Sequence, residues 1–230
     1  MDHYGGTTAS GPGGMGLAGS PVNLRNRWRQ IGKRFLDIVV GAFLLLLLLP
    51  VLLLIALAVR ADGGPVFYAH RRVGRGGSEF PCLKFRTMRV DADRVLEQML
   101  REVPALRSEW EATQKLRHDP RVTRVGRVLR MTSLDELPQL LNVLRGEMSL
   151  VGPRPVVRGE LDQFYGPATG AYLSVRPGIT GLWQVSGRSD VGYDRRVALD
   201  LAYAQNPSLR GDLVILWRTV GAVLRRRGAF

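Results

Sequence analysis

Two adjacent carboxylates, Asp135 and Glu136, stand in the stretch TSLDELPQLLNVL, and basic residues in three other segments have the character of phosphate ligands. Lys84 and Arg86 alternate with Leu83, Phe85 and Thr87, a spacing that puts both on one face of a strand. Such a pair binds phosphate where its face lines a cleft. Arg154 lies between two prolines in GPRP. Proline fixes φ, so this guanidinium is held stiffly and loses little further entropy on gripping a phosphate through two parallel bonds. Arg176 and Arg188 belong to VRPGITGLWQVSGRSD, where glycines leave backbone N–H groups free to surround phosphates. The acids themselves have two readings. Ser133 with Glu136 forms a capping box, or Asp135 caps a helix in which Pro138 falls among the free N–H positions. The alternative is that the acids perform chemistry.

Charge and composition narrow the partners. The 230 residues hold 33 Lys and Arg against 20 Asp and Glu, a formal charge of +13. That balance calls for an anionic partner: nucleic acid, an anionic membrane or a phosphorylated substrate. No recognisable DNA- or RNA-binding motif is present, so nucleic acid is not expected. Cys82 is the single cysteine, which excludes an intrachain disulfide and a CxxC metal site. His3, His70 and His118 are scattered and lack metal-ligand spacing.

The elements that must position these residues follow from periodicity and breakers. Residues 1–24, rich in Gly, Ser, Thr and Pro, read as a disordered tail. From Ile38 to Val59 run 22 residues without a charge, long enough at ~1.5 Å per residue to span a ~30 Å hydrocarbon core. Pro50 near the middle favours a kink or break, and arginines flank both ends, whereas a spanning helix concentrates them on one side. The segment 25–62 therefore reads as a spanning helix or as a re-entrant hairpin that enters and leaves by one face. Its basic flanks, Lys33 and Arg34 among them, are expected on anionic headgroups, and Asp37 is expected to pair with Lys33 or Arg34 one turn back. Residues 66–68 and 80–85 read as two strands joined by a turn at RRVGRGG, and 91–117 as a surface helical excursion interrupted at Pro104. Arg117, Arg121, Arg124, Arg127 and Arg130 precede the acidic pair, a positive field expected to keep both acids ionised. The last segment, with Leu209, Leu213, Leu216, Val220 and Val223, suits a helix on a membrane interface or a core helix with an Arg-rich end.

Four motifs in this order, KRFLDIVVGAFLLLLLLPVLLLIALAVR, KFRTM, TSLDELPQLLNVLRGEMSLVGPRP and VRPGITGLWQVSGRSD, resemble the bacterial sugar transferases, monotopic phosphoglycosyl transferases. The resemblance runs from about Trp28 to the C-terminus and looks like the catalytic module without the additional membrane domain of longer members. It implies a mainly helical α+β catalytic domain over 63–230 with a short β-hairpin. It also implies a re-entrant helix–break–helix anchor at Pro50, where many members carry Ser and this chain carries Leu49, together with interfacial amphipathic helices. Lys33, Arg34, Asp37 and Pro50 then belong to the anchor. The implied reaction moves a sugar 1-phosphate from a UDP-sugar to undecaprenyl phosphate with release of UMP and use of Mg²⁺. It would occur on the cytoplasmic face of the bacterial inner membrane, with a homo-oligomer left open. Asp135 and Glu136 match the catalytic dyad, Asp135 as nucleophile and both acids as Mg²⁺ ligands. Lys84 and Arg154 are expected on phosphate oxygens, and Arg176 and Arg188 on the nucleotide diphosphate or lipid phosphate. The RSEWEATQKLRHDPRVT and SGRSD segments resemble members that transfer galactose or glucose phosphate in exopolysaccharide or O-antigen synthesis. The competing reading is a non-catalytic, membrane-anchored assembly protein of the polysaccharide machinery.

Overall fold

A computed structural model describes residues 24–113, 116, 118–187 and 192–224. The expected tail, apart from Leu24, and Arg117 and Arg188 lie outside those residues. The architecture is mainly helical with two small sheets, the α+β class expected from the sequence. It begins with one 38-residue helix, α1 (Leu24–Ala61). An antiparallel hairpin follows, β1 (Phe67–Val73) and β2 (Glu79–Phe85), in the register Phe67 to Phe85 and Val73 to Glu79. Its turn contains Gly76 at φ 73°, so the strands extend further into RRVGRGG than the sequence indicated. Helices α2 (Ala92–Glu102) and α3 (Pro104–Thr113) form the excursion, parted at Pro104 as expected, and α2 has no buried residue.

The middle of the chain supplies α4 (Arg124–Thr132), a short 3₁₀ turn (Leu134–Glu136) and α5 (Gln139–Arg145). Thr123 caps α4 by accepting from the Gly126 N–H at 2.9 Å. Gly126 is required by close approach: a Cβ there would overlap the Thr87 backbone. Beyond α5 come β3 (Ser149–Val151), α6 (Arg158–Phe164), α7 (Thr169–Leu173) and β4 (Gly178–Thr180). β3 and β4 pair in parallel, Ser149 with Gly178 and Val151 with Thr180. The described chain ends with α8 (Tyr193–Gln205) and α9 (Leu209–Leu224).

α1 is held to this body at both ends. At its start Lys33 donates to Asp212 at 2.7 Å and to the Val151 carbonyl at 3.0 Å. Arg34 donates to the Val143 and Leu144 carbonyls at 2.6 and 2.9 Å, covering the open C-terminus of α5. Asp37, 1% exposed, accepts from the Ser149 hydroxyl and the Leu150 N–H, each at 3.0 Å. Val40, Leu44 and Leu45 continue the same side into a core of Val143, Met148, Leu150 and Ile215. At the far end Leu52, Ile55, Ala56 and Val59 pack on Phe85 and Leu129, and Arg86 donates to the Val59 and Gly63 carbonyls.

Three expectations about this segment change. Lys33 and Arg34 point into the protein rather than onto headgroups, because spacings of three and four residues set Lys33, Asp37, Val40 and Leu44 on the face that meets β3 and α5. Asp37 serves β3 and not a neighbour one turn back. The helix also runs through Pro50 without interruption, where two separate arms were expected. Proline removes a single hydrogen bond, and packing on both sides of position 50 keeps the flanking turns helical. Between the two grips, Leu46, Leu47, Leu49, Pro50 and Val51 are exposed, Leu46 at 71%.

α9 has one buried side and one exposed apolar side. Asp212 and Ile215 are buried, while Leu213, Val214, Trp217 and Val220 are exposed, Trp217 at 80%.

Candidate active site

Asp135 and Glu136 sit in the 3₁₀ turn between α4 and α5, and neither helix uses them as a cap. Ser133 adopts the left-handed conformation, φ 57°, and ends α4 by donating its N–H to the Arg130 and Leu129 carbonyls. Its side chain makes no capping bond, so the capping box read from the sequence is not formed. Pro138 occupies the position before α5, where no side chain caps. The acids are thus displayed by a tight turn whose Leu134 is tucked against Phe85 and Leu129.

β2 brings Lys84 to them. Its ammonium lies 2.7 Å from Glu136 Oε1 and 3.7 Å from Asp135 Oδ2. The spacing between β2 and the acidic turn is fixed by Asn142 of α5, fully buried. Its amide donates to the Pro81 carbonyl at 2.8 Å and its oxygen accepts the Leu83 N–H at 3.0 Å. Burial raises the Asp135 carboxyl above the ordinary carboxylate range; attraction to Lys84 opposes this and repulsion from Glu136 adds to it. Burial outweighs the positive field expected from the preceding arginines, among which Arg130 acts on Asp135. Arg130 is itself oriented by its bond to the Thr87 hydroxyl at 2.9 Å. Burial presses the Lys84 ammonium down, but Glu136 and Asp135 together outweigh it and hold the group above its usual value. The result is a partly desolvated carboxylate beside a firmly protonated amine, suited to attack on a phosphorus atom whose oxygens the amine neutralises.

Arg154 projects from the loop after β3, and the backbone of that loop is fixed from several sides. The Arg154 N–H meets Asp200 Oδ1 at 3.4 Å and its carbonyl lies 3.1 Å from the Tyr172 hydroxyl. The Pro153 carbonyl accepts from the Gly178 N–H at 2.8 Å. A Cβ on Gly152 or Gly178 would collide with the opposite backbone, so these glycines permit the close pairing of the two loops. The stiff turn expected from GPRP is present. The Arg154 guanidinium lies over the Trp183 ring at 5.3 Å and is among the charges acting on Lys84, so it borders the dyad. Asp200 is buried, and burial lifts its carboxyl to about 6 against the bonds from Tyr165 and Arg154.

The other expected phosphate ligands are distributed differently. Arg176 donates to the Gly146 carbonyl at 2.7 Å, and the charges around it are Arg75, Arg34 and Asp37 rather than the dyad. Arg86 serves the end of α1, so alternation along the strand did not deliver both cations to one site. Sequence reasoning missed Asn142, Tyr172, Trp183, Arg196 and Asp200. Each acts across the fold on a residue far away in the chain, and no local spacing marks it. Among the described residues no three His, Cys, Asp or Glu side chains cluster as a metal cage. Asp135 and Glu136 offer two carboxylates, the number that Mg²⁺ commonly takes from protein when phosphates and water complete its shell.

Residues 28–226 match the bacterial sugar transferase family. The chain is 54% identical over 201 residues to the exopolysaccharide production protein ExoY of Sinorhizobium fredii, covering 87% of this chain and 88% of that protein. It is 50% identical over 208 residues to the undecaprenyl-phosphate galactose phosphotransferase of Salmonella typhimurium, covering 90% of this chain but 44% of that longer protein. It is 44% identical over 210 residues to the UDP-glucose:undecaprenyl-phosphate glucose-1-phosphate transferase of Caulobacter vibrioides, covering 87% of this chain and 73% of the relative.

Proposed function

This chain belongs to the bacterial sugar transferase family, and we propose that it transfers a sugar 1-phosphate from a UDP-sugar to undecaprenyl phosphate, releasing UMP and starting exopolysaccharide or O-antigen synthesis. The names of the Salmonella and Caulobacter relatives support galactose or glucose as the sugar. The observation that carries the reading is the turn at Leu134–Glu136, which presents two uncapped carboxylates to Lys84 beside a stiff Arg154.

Asp135 attacks the sugar-bearing phosphorus of the donor. The bond to the bridging oxygen breaks, UMP departs, and the sugar phosphate stays on the carboxylate as an acyl phosphate. An oxygen of undecaprenyl phosphate then attacks the same phosphorus, the aspartyl oxygen leaves, and the lipid carries the sugar diphosphate. Lys84 and Arg154 neutralise phosphoryl oxygens, which this chemistry needs more than it needs proton transfer. Glu136 holds Lys84 in place at 2.7 Å. Asp135 and Glu136 fit a shared Mg²⁺ site completed by substrate phosphates, and the ion would supply further charge neutralisation.

The two grips on α1 support an anchor that enters and leaves by one face. One folded body holds Lys33 to Asp37 at one end and Val59 at the other. A helix crossing the bilayer would need those ends on opposite sides; in the proposed course α1 instead stays on one face and its exposed stretch around Pro50 dips into one leaflet. The exposed Leu213, Trp217 and Val220 of α9 rest at headgroup level. This arrangement lets a soluble nucleotide-sugar and a membrane-bound phosphate reach one site from the cytoplasm.

The test is release of UMP, rather than UDP, from a panel of UDP-sugars with undecaprenyl phosphate. Chelation should stop it and Mg²⁺ restore it. Labelled donor without acceptor should leave label on Asp135, and Asp135→Asn should carry none. A non-catalytic assembly protein would release no nucleotide, and a simple glycosyltransferase would release UDP. For topology, tags at both ends should be accessible from the cytoplasm only; a periplasmic N-terminus refutes the re-entrant course.

A further inference from the structure

Arg154 shares Trp183 with a second guanidinium. The Arg196 Cζ atom lies 4.6 Å from the Trp183 ring centre and 5.0 Å from that of Tyr193. Among the described residues neither arginine forms an ion pair, and neither side chain has a hydrogen-bond acceptor. The Arg196 Nε and the Trp183 Nε1 are buried without partners. The nearby acids, Glu160 and Asp200, act on Arg196 from a distance and are bonded elsewhere. Glu160 accepts from the Tyr193 hydroxyl at 3.2 Å and faces Arg72 at 3.9 Å, while Asp200 accepts from the Tyr165 hydroxyl at 2.9 Å. Buried cations are ordinarily matched by an anion, and donors removed from water are ordinarily bonded. Among the described residues, two half-buried like charges gathered on one indole have no ion-paired anion, the arrangement of a receptor for an incoming one.

We propose that Arg196 is a second phosphate-binding arm of the donor site, acting with Arg154 on the diphosphate of the nucleotide-sugar. This rests on the donor reading above and adds to it a residue and a division of labour. Two planar forks suit two linked phosphates, whereas the lipid acceptor brings one. Arg154 acts on Lys84, and Arg196 shares the Trp183 ring with it. Arg154 therefore takes the sugar-bearing phosphate next to Asp135, and Arg196 takes the nucleotide's phosphate. When the bridging bond breaks, the departing UMP stays on Arg196 while the sugar phosphate stays on Asp135. Burial and the charge of Arg154 both press the Arg196 guanidinium below its ordinary value, the relation expected of a pair that an incoming dianion relieves.

The test needs no turnover. UDP binding to the full chain in nanodiscs is measured by calorimetry at several salt concentrations. Arg196→Met should weaken UDP about 10- to 100-fold, the size expected for losing charge-assisted bonds, and flatten the salt dependence. Measured with EDTA and without Mg²⁺, where the carboxylates bridge nothing to the phosphates, Asp135→Asn should bind UDP no more weakly than the wild type, so failure of the covalent mechanism leaves this readout intact. Should Arg196→Met fold poorly, Arg196→Lys keeps the charge without the fork and should still lose about fivefold or more in UDP affinity. UDP affinity within twofold of wild type in a folded variant overturns the proposal. So does a rise in the KM for undecaprenyl phosphate with UDP binding unchanged, which would give the pair to the lipid phosphate.

Discussion

The dyad and the arginine pair are opposite solutions to the same problem of holding charge away from water. At the dyad, one ammonium is paired with two carboxylates over 2.7 and 3.7 Å, leaving one net negative charge. At the pair, two guanidiniums lean on one indole and, among the described residues, form no ion pair. The first arrangement is ion-paired before any substrate arrives and keeps its geometry at rest. The second is left unbalanced, and its imbalance is available as binding energy. A phosphoryl transferase needs both: a nucleophile already positioned, and cations that gain most when the donor's negative charge enters between them.

The comparison breaks most sharply at Asp135. Asp135→Asn should lower UMP release at least about 10³-fold, with UDP binding in the absence of Mg²⁺ not weakened, because it removes the attacking oxygen and touches neither arginine. Lys84→Met should cost about 10²-fold in turnover, and it also tests the balance electrostatically. Lys84 is the main charge pulling the Asp135 carboxyl down against burial. Without it the carboxyl rises further, so the acidic limb of the pH–rate profile should shift to higher pH; an unchanged limb would show that the two do not communicate. Trp183→Leu should act on the other side only, weakening UDP several-fold by freeing both guanidiniums, with the pH limb unmoved.

The smallest effect is expected beneath the pair, at Asp200. Its carboxyl is raised from 3.8 to about 6 in the folded protein. The folded state therefore holds a proton that the unfolded state has released, and stability contributed below pH ~4 is lost as pH rises through ~6. Asp200→Asn can still accept from Tyr165 and has no such loss. Its melting temperature relative to wild type should rise across that window, by the equivalent of at most about 3 kcal/mol. A pH-independent difference would mean that the carboxylate is compensated at the pair after all.

What the sequence disclosed depends on how local the cause is. The hairpin was legible because alternation and a glycine turn lie within twenty residues. GPRP was legible because two prolines stiffen the residue between them wherever it sits. The acids were ambiguous because Ser133 and Glu136 satisfy a capping pattern; only the left-handed turn at Ser133, forced by the join of α4 to the 3₁₀ turn, shows that they cap nothing. Arg176 and Arg154 look alike in sequence, each next to proline and glycine. Their partners, Gly146 for one and Trp183 for the other, are set by tertiary packing. Arg196 lay in a charged helix start, YDRR, where a solvated face is the ordinary reading, and nothing nearby announces the ring it rests on.

The double fastening of α1 has an evolutionary corollary. Asp37 and Val59 occupy fixed seats on one rigid body, so the number of residues between them is fixed as well. An inserted residue would turn everything beyond it by about 100° and advance it ~1.5 Å, unseating one end or the other. The oily surface between those seats is free to change its letters, but an insertion or deletion there should be purged where point substitutions drift.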